Sequence, residues 1–313
     1  MSESFVHPAL FYRDAEDYLS ATVPFVVEGL AEGEPVAVAV PPPNLALLRD
    51  ALATFENMIV FHDMSLVGRN PGRIIPGVLR AFADSHPGRH VRIIGEPVWP
   101  GRSENEYPAC ATHEALINKA FNGRGATILC PYDVHRLSAD VLRDAEATHP
   151  LVVDDSGPRP SEHFAPEQVI ARHNRPLLPP PPDAVRTEIS GPVSQARRFT
   201  KEHALHAGFD PLRLDDLLLT ITELVTNSIE HGSGNSTVHL WADDEAYVCQ
   251  VADGGYISDP LAGRLPVGPE RMGGRGLLVV NHLADLVRLH TTPSGTTIQV
   301  RFTRSHAHNQ LET

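Results

Sequence analysis

The chain has 313 residues, of which 42% are hydrophobic, 21% charged and 6% aromatic, a composition typical of globular proteins and unlike that of disordered, fibrous or coiled-coil chains. Its formal net charge of −13 repels nucleic acid and anionic membranes, which argues against direct DNA binding. The three scattered cysteines do not predict a disulfide framework, and the 17 histidines stand singly, without the paired spacing typical of a zinc site.

Length and terminal signals predict two domains in the cytoplasm. A typical domain of ~150 residues divides this chain into about two. The first ten residues lack the basic start and apolar core of a signal peptide, and the apolar runs are shorter than the ~20 residues that cross a bilayer. Because the few cysteines also fit a reducing compartment, we expect a cytoplasmic protein without a membrane segment.

Short strands and helices alternate along the first half of the chain. Strands are predicted at 36–40, 58–61, 91–94 and 126–130, and helices at 14–30, 44–55, 71–85, 113–121 and 138–148. Such alternation predicts a mostly parallel sheet with helices on both faces. We therefore expect a three-layer α/β domain over residues 1–150.

Prolines separate the two halves. Pro176 and the four prolines at 179–182 remove backbone donors and restrict φ, which favours an extended segment. We therefore predict a proline-rich linker over residues 151–188.

A different order of elements follows the linker. Helices are predicted at 193–206 and 212–230, two antiparallel strands at 236–241 and 246–251, a helix at 276–283, and strands at 286–290 and 296–302. Helices combined with an antiparallel or mixed sheet predict an α/β sandwich of two layers. We assign this domain to residues 189–304 and a frayed tail to 305–313.

Four motifs in the second half can carry chemistry. Glu223 and Asn227 lie four residues apart on one helix and so share one face. Asp253 ends a strand beside glycines, where a carboxylate can accept a hydrogen bond from a ligand amine while bare backbone lets a ring approach. The glycine-rich residues 273–276 precede a helix, which suits a phosphate, and Thr296 opens the last strand. Taken singly, these motifs also fit a solvated helix face and ordinary turns.

The order and spacing of the four motifs resemble the N, G1, G2 and G3 boxes of the GHKL, or Bergerat-fold, ATPases. The matching segments read Glu223-x-x-x-Asn227, Asp253-x-Gly255, Gly274-x-Gly276 and Gly295-Thr296. Within that superfamily, residues 196–199 and 222–227 resemble the anti-sigma factor serine kinases. The segment before Asp259 departs from the family pattern, because it lacks a second glycine and an aromatic residue.

This resemblance implies roles for individual residues. Asn227 would hold Mg²⁺, Glu223 would act as the catalytic base or orient a water, and Asp253 would read the adenine amino group of ATP. The other residues expected to bind the nucleotide are Gly255, Gly274, Arg275, Gly276, Leu277 and Thr296. Residues 260–273 would form a mobile lid, and Arg275 either touches phosphate or faces outward.

Two classes of function follow from the resemblance. A serine/threonine kinase would phosphorylate an anti-anti-sigma (STAS) protein, whereas a binding module would sequester a sigma factor and use ATP structurally. Both would act by partner switching in transcription regulation and stress response. A sensor histidine kinase is a further alternative, but it needs a dimerising helical hairpin where this chain has a proline linker and one short helix. The sequence is compatible with a homodimer but does not identify the oligomeric state.

The first half resembles the MEDS sensory domains. The phrases that carry the resemblance are His7-Pro8-Ala9-Leu10-Phe11-Tyr12, Gly95-Glu96-Pro97-Val98-Trp99, His113-Glu114-Ala115-Leu116-Ile117-Asn118 and Cys130-Pro131-Tyr132-Asp133. MEDS domains look RecA-like in outline. This chain has no Gly-x-x-x-x-Gly-Lys-Ser/Thr motif, which excludes a P-loop nucleotide site.

Ligands of parallel sheets bind at the carboxyl ends of the strands. On that basis we predict a sensory pocket in the first domain, which would regulate the second. Its expected members are His7, Glu96, Arg102, Tyr132 and Asp133. Alternatively, Glu96 and Asp133 cap helices or brace loops. Cys130 is predicted to be a small core residue.

Overall fold

The computed structural model describes residues 5–232, 234–266 and 274–304. The chain divides into two compact units, Met1–His173 and Asn174–Thr313, and each contains its own sheet. No helix within the described ranges is long and apolar enough to cross a bilayer.

The first unit is built on a mostly parallel sheet. Its strands are β1 (Phe5–Val6), β2 (Pro8–Tyr12), β3 (Val36–Val40), β4 (Ile59–Asp63), β5 (Val91–Gly95), β6 (Ala126–Asp133), β7 (Leu151–Asp154) and β8 (Gly157–Pro160). The strand order is β4-β3-β5-β6-β2-β7-β8, with β1 paired to β6. Every pair is parallel except the β7–β8 hairpin. The mostly parallel sheet predicted from the sequence is confirmed.

Helices cover the sheet of the first unit. They are α1 (Ala15–Ala31), α2 (Pro42–Ala51), α3 (Met64–Val67), α4 (Arg80–Asp84), α5 (Tyr107–Ala120), α6 (Ala139–Thr148) and α7 (Pro166–His173). All residues of β3 are buried, which requires cover on both faces of the sheet. Side chains of α1 and α2, among them Tyr18 and Leu48, pack with the strands in one core, and α5, α6 and α7 pack together around Ala115 and Val169.

Two predicted helices of this unit differ in detail. The helix predicted at 113–121 begins earlier, at Tyr107, because Pro108 suits the first turn of a helix. The helix predicted at 71–85 divides into a 3₁₀ turn, Pro71–Arg73, a π-helical segment, Ile75–Leu79, and α4. Pro76 cannot donate a backbone N–H in that segment, so a regular α-helix is interrupted there.

The linker predicted at 151–188 does not match the structure at either end. β7 pairs with β2 and α7 belongs to the first unit, because the apolar run at 151–153 extends the sheet. At the other end, β9 (Val185–Ile189) joins the second sheet. Residues 174–184 form no helix or strand, and they contain the prolines that favour an extended backbone.

The second unit has the predicted two layers. Its further elements are α8 (Val193–His206), α9 (Leu214–His231), β10 (Ser236–Ala242), β11 (Ala246–Asp253), α10 (Gly276–Leu283), β12 (Leu286–Thr292) and β13 (Gly295–Thr303). The sheet order is β12-β13-β11-β10-β9, and all pairs are antiparallel. Alternate residues of β13 are buried, so one face of the sheet packs against the helices in a single core.

Candidate functional site

A cleft of about 890 Å³ lies beside α9 in the second unit. Its walls come from the C-terminal half of α9, the end of β11, the start of α10 and the start of β13. All the residues predicted for catalysis and nucleotide binding line this cleft: Glu223, Asn227, Asp253, Gly255, Gly274, Arg275, Gly276, Leu277 and Thr296. The fold thus brings the four sequence motifs to one place.

Two hydrogen bonds orient the carboxylate of Asp253. The hydroxyl of Ser228 donates to Oδ2 at 2.6 Å, and the backbone N–H of Gly255 donates to Oδ1 at 2.6 Å. Because each carboxylate oxygen can accept more than one hydrogen bond, Asp253 can still accept a donor in the cleft. Ser228 was not predicted as a site residue, although its hydroxyl lies among the buried positions of α9.

Glycines permit the close packing around Asp253. A Cβ atom added to Gly255 would lie 2.9 Å from Asp253 Oδ1 and 2.9 Å from the carbonyl oxygen of His231. A Cβ atom added to Gly232 would lie 2.5 Å from the carbonyl oxygen of Ser228. A Cβ atom does not approach other heavy atoms this closely. The end of α9 can therefore pack against the backbone at Gly255 only because glycine stands at both 232 and 255.

The start of α10 lies against the polar face of α9. A Cβ atom added to Gly276 would lie 2.8 Å from Glu223 Oε2 and 3.1 Å from Asn227 Nδ2. Asn227 Nδ2 is buried without a hydrogen-bond partner, and such a group is costly unless a ligand or water satisfies it. The backbone at the N-terminus of α10 therefore meets a carboxylate and an unsatisfied amide, an arrangement that suits a phosphate with its metal ion.

Thr296 holds the wall of the cleft through a short chain of hydrogen bonds. Its hydroxyl donates to the carbonyl oxygen of Gly255 at 2.9 Å and lies 2.7 Å from the hydroxyl oxygen of Thr291. The Thr291 hydroxyl accepts the backbone N–H of Ile257 at 3.0 Å. The side chain of Asn174 bonds to both backbone polar groups of Thr291, at 2.8 and 3.0 Å. Asn174 was not predicted as part of the site.

The predicted lid at 260–273 falls only partly within the described residues. Residues 267–273, including Gly273 of the glycine-rich motif, lie outside them. Gly263 has φ of +70° and lies so close to Leu277 that an added Cβ would be 2.5 Å from Leu277 Cβ. Asn281 Nδ2 donates to the carbonyl oxygen of Gly263 at 3.0 Å. The first part of the segment is therefore packed on α10.

In the first unit, Glu96 is buried at the end of β5. Asn44 Nδ2 donates to Glu96 Oε2 at 2.8 Å, and the hydroxyl of Tyr12 donates to Oε1 at 3.4 Å. Burial raises the pKa of Glu96 to about 8, and although the two hydrogen bonds lower it, the charge of Asp133 acts in the same direction as burial. The carboxyl group is therefore largely protonated at neutral pH.

Arg102 and Asp133 brace loops. Arg102 donates to the carbonyl oxygens of Pro97 and Gly68 at 3.1 and 2.7 Å, and its guanidinium lies 3.8 Å from the centre of the Trp99 ring. Asp133 Oδ1 accepts two backbone N–H groups of the following turn, both at 3.0 Å. Loop backbone therefore engages polar atoms of Arg102 and Asp133, which matches the alternative that Asp133 braces a loop, and the sensory pocket stays a prediction.

His7 lies in a different group of buried side chains, which we call the buried cluster. Its members are His7, Glu114, Cys130 and His149. The ring of Tyr132 meets the ring of His149 edge-on at 5.6 Å. Burial and the neighbouring His149 lower the pKa of His7 to about 4. Burial acts to raise the pKa of Glu114, but the neighbouring His149 and His7 outweigh it and lower the pKa overall.

Comparisons with known proteins assign the two halves separately. Residues 6–150 match the MEDS family, the MEthanogen/methylotroph, DcmR Sensory domain. Residues 190–302 match the histidine kinase-like ATPase domain.

Similar proteins match the second half of the chain. The serine-protein kinases RsbW of Listeria monocytogenes serotype 4a and Listeria innocua serovar 6a are each 29% identical over 112 residues, with 31% of this chain and 71% of theirs covered. A crystal structure of the RsbU and RsbW domains of Rv1364c from Mycobacterium tuberculosis matches with 20% identity and a TM-score of 0.29, covering 38% of this chain and 33% of that chain. The match therefore spans about a third of that solved chain.

Proposed function

We propose that this chain, which joins an N-terminal MEDS domain to a C-terminal histidine kinase-like ATPase domain, is an ATP-binding anti-sigma factor. We further propose that it phosphorylates a serine or threonine of an anti-anti-sigma (STAS) partner and that the MEDS domain regulates this activity. The observation that carries the proposal is the position of Glu223, Asn227 and Asp253 in one cleft beside the N-terminus of α10. The serine-protein kinases among the similar proteins support the class of reaction.

The cleft suits ATP with Mg²⁺. Its volume of about 890 Å³ lies in the range of ~300–1,000 Å³ that is usual for small-molecule sites. The carboxylate of Asp253 would accept a hydrogen bond from the adenine amino group, and the backbone at Gly274 and Gly276 would bind phosphate. The amide of Asn227, whose nitrogen is buried without a partner, would hold Mg²⁺ through its oxygen. Bound Mg²⁺ would neutralise charge on the phosphates during transfer.

Glu223 is proposed as the catalytic base. Its carboxylate lies at the end of the cleft where Gly276 begins α10, close to the expected phosphates. There it would accept the proton of the acceptor hydroxyl while the oxygen forms a bond to the γ-phosphorus and the bond to ADP breaks. A cleft that only held ATP structurally would have no need of this carboxylate, which favours the kinase over a non-catalytic binding module.

The local structure of α8 argues against the histidine kinase alternative. His203 lies in the last turn of α8, and its ring packs on Phe199 at 4.5 Å. Ala196 and Ala204 of the same helix are buried in the core shared with α9. α8 is thus part of the ATPase layer, and the dimerising hairpin of a histidine kinase would need free helices.

Phosphate transfer tests the proposal directly. The full chain is incubated with γ-labelled ATP, Mg²⁺ and candidate STAS proteins, and Glu223→Gln is compared with the unmutated protein. Since a positioned general base contributes ~10²–10⁴-fold, the variant should transfer phosphate at least about 100-fold more slowly and still bind ATP. Glu230→Gln, at an exposed position of the same cleft, is the control.

The outcomes separate the two candidate functions. Transfer that is unaffected in Glu223→Gln would make Glu223 a structural residue. Sigma-factor binding without transfer to any partner would favour the binding module. A full chain that does not bind ATP would contradict both.

A further inference from the structure

The buried cluster of the first unit gathers side chains from four separate elements. His7 lies between β1 and β2, Glu114 on α5, Cys130 on β6, and His149 follows α6. One ligand atom of each side chain lies within 4.8 Å of the corresponding atoms of the other three, and all four residues are at most 1% exposed. The nucleotide cleft belongs to the other unit, so the proposed kinase chemistry leaves this cluster unexplained.

Hydrogen bonds orient both imidazole rings of the cluster. His149 Nδ1 lies 2.8 Å from the carbonyl oxygen of Ala145, which can only accept, so Nδ1 carries the hydrogen. Asn118 Nδ2 donates to the carbonyl oxygen of Thr148 at 2.8 Å, which turns Asn118 Oδ1 toward His7 Nδ1 at 3.2 Å. Nδ1 therefore carries a hydrogen in both rings, so in the neutral imidazoles the lone pair lies on Nε2, which faces the cluster.

The centre of the cluster is rich in acceptor atoms when both imidazoles are neutral. Both carboxyl oxygens of Glu114 and Nε2 of His149 are buried without a hydrogen-bond partner. The thiol of Cys130, with Sγ 3.4 Å from His7 Nε2, supplies at most one hydrogen to this centre. Because buried unpaired charges and lone pairs are unfavourable, the arrangement calls for a cation.

We propose that the buried cluster binds one zinc-class divalent cation. His7 Nε2 lies 3.5 Å from Glu114 Oε2, and His149 Nε2 lies 3.1 Å from the same oxygen. With metal–ligand bonds of ~2.0–2.3 Å, a tetrahedral ion separates its ligands by ~3.3–3.8 Å, close to these distances. Thiolate and imidazole ligands select Zn²⁺ or Co²⁺ over Mg²⁺ or Ca²⁺.

Charge balance supports the same assignment. A thiolate and a carboxylate carry two negative charges, and two neutral imidazoles add none, so a divalent ion leaves no net charge in the buried site. Cysteine binds a metal ion as the thiolate. Formation of the sulfur–metal bond therefore breaks the S–H bond and releases one proton to solvent.

The hydrogen bonds to Nδ1 and the lack of space indicate a structural metal site. Ligand histidines usually donate Nδ1–H to a carbonyl or carboxylate, as Asn118 and Ala145 allow here. The neighbouring cavity lined by Glu114 and Tyr132 has a volume of only about 10 Å³, about the smallest that holds one water. The ion would thus link the chain between β1 and β2 to α5, β6 and the end of α6.

Metal binding by the full chain tests the proposal. The protein is stripped with a chelator and titrated with Co²⁺ while absorbance and proton release are recorded. We expect one Co²⁺ to bind per chain and one proton to be released per ion. The bound ion should give the d–d bands of tetrahedral cobalt and a thiolate charge-transfer band. Added Zn²⁺ should displace Co²⁺ and remove these bands, but it should not reverse the proton release.

Matched variants locate the site. Cys130→Ser should abolish the charge-transfer band and weaken Co²⁺ binding at least about 10-fold. Cys249→Ser removes another buried free cysteine and should leave the spectrum unchanged. Asn227→Ala should also leave it unchanged, which separates this ion from the Mg²⁺ proposed for the nucleotide cleft.

Several results would overturn the proposal. The first is that the unmutated chain binds neither Co²⁺ nor Zn²⁺ while its circular dichroism is that of a folded protein. The second is a spectrum of octahedral cobalt without thiolate ligation. The third is a charge-transfer band that persists in Cys130→Ser. If Cys130→Ser does not fold, the spectrum and proton count of the unmutated chain still decide. None of these measurements depends on kinase activity, so the metal site and the proposed function can fail separately.

Discussion

At the scale of single residues, the cleft beside α9 depends on polar groups whose positions are fixed by their neighbours. Ser228 and the backbone of Gly255 hold the carboxylate of Asp253, and the glycine at 276 lets α10 approach Glu223. Each group can therefore be changed with a defined expectation.

The first prediction concerns the preference for adenine over guanine nucleotides. Asp253→Asn keeps the shape of the side chain but replaces one acceptor oxygen with a donor, which repels the adenine amino group. We expect ATP affinity to fall about 10-fold or more, the scale of losing one good hydrogen bond to a charged group, with little loss of GTP affinity. Competition of ATP and GTP against a fluorescent nucleotide measures both. Equal binding of ATP and GTP by the unmutated chain would contradict the role of Asp253.

The second prediction concerns the pH dependence of the first unit. Glu96 has a pKa of about 8 when folded and ~4.3 when unfolded. Between these values Glu96 binds more protons in the folded state than in the unfolded state, so its contribution to the free energy of unfolding should decrease as pH rises from about 5 to about 8. Glu96→Gln cannot ionise, and its oxygen can still accept from Asn44, so this decrease should disappear.

Urea unfolding at several pH values measures this effect. Trp99 lies in the first unit and Trp241 in the second, so a Trp241→Phe background isolates the fluorescence of the first unit. Glu16→Gln, at an exposed position, is the control. Parallel stability curves for Glu96→Gln and its background would show that the pKa of Glu96 is not raised.

At the scale of elements, α9 contributes its polar face to the cleft and α10 contributes its N-terminal end. α9 buries Leu217, Ile221 and Leu224 in the core and presents Glu223 and Asn227 to the cleft. α10 begins at Gly276, so its free N–H groups point to the same place. The edge strand β12 supports this arrangement through Thr291.

The third prediction concerns the residue that extends the edge of β12. Asn174 makes two hydrogen bonds with the backbone of Thr291, whose hydroxyl holds the wall of the cleft. Asn174→Ala should destabilise the second unit by ~1–3 kcal/mol, the scale of two neutral hydrogen bonds, and weaken ATP binding several-fold.

Thermal unfolding and nucleotide titration check this result. Leu178→Ala changes a residue of the same segment that is 79% exposed, and it should leave both measurements unchanged. If Asn174→Ala behaves like Leu178→Ala, the connecting segment has no influence on the cleft.

At the scale of the whole molecule, each unit has its own sheet and its own core. The family matches also cover the two halves separately. This division predicts that the second unit folds without the first, provided that the cut respects the structural boundary.

The fourth prediction is therefore about where the chain can be divided. A fragment 174–313 keeps Asn174 and β9 and should bind ATP with the affinity of the full chain. A fragment 183–313 loses the bonds of Asn174 and should be less stable by ~1–3 kcal/mol. Denaturant unfolding and ATP titration of both fragments measure this difference.

The same fragments test the proposed regulation. If the MEDS domain regulates the ATPase domain, fragment 174–313 should differ from the full chain in phosphate transfer or partner binding, because regulation requires a difference between two states. Identical transfer rates and partner affinities with and without the first unit would leave that unit without the proposed role.

The sequence by itself predicted most elements and a set of residues that line the cleft beside α9. This was possible because each motif is local: a helix face such as Glu223 with Asn227, a strand end such as Asp253, or glycines before a helix. Sequence periodicity and glycine placement report such features directly. It failed at 151–160, where pairing with β2 decides that a short apolar run is a strand.

Only the tertiary structure decided the surroundings of His7 and Glu96. The atoms that meet in the buried cluster come from residues as far apart as His7 and Cys130, which a parallel sheet brings together without any repeated spacing in the chain. The raised pKa of Glu96 likewise depends on burial by remote segments, and the contact of Asn174 with Thr291 joins two ends of the second unit. Long-range packing sets these environments, and a linear pattern of residue types does not record it.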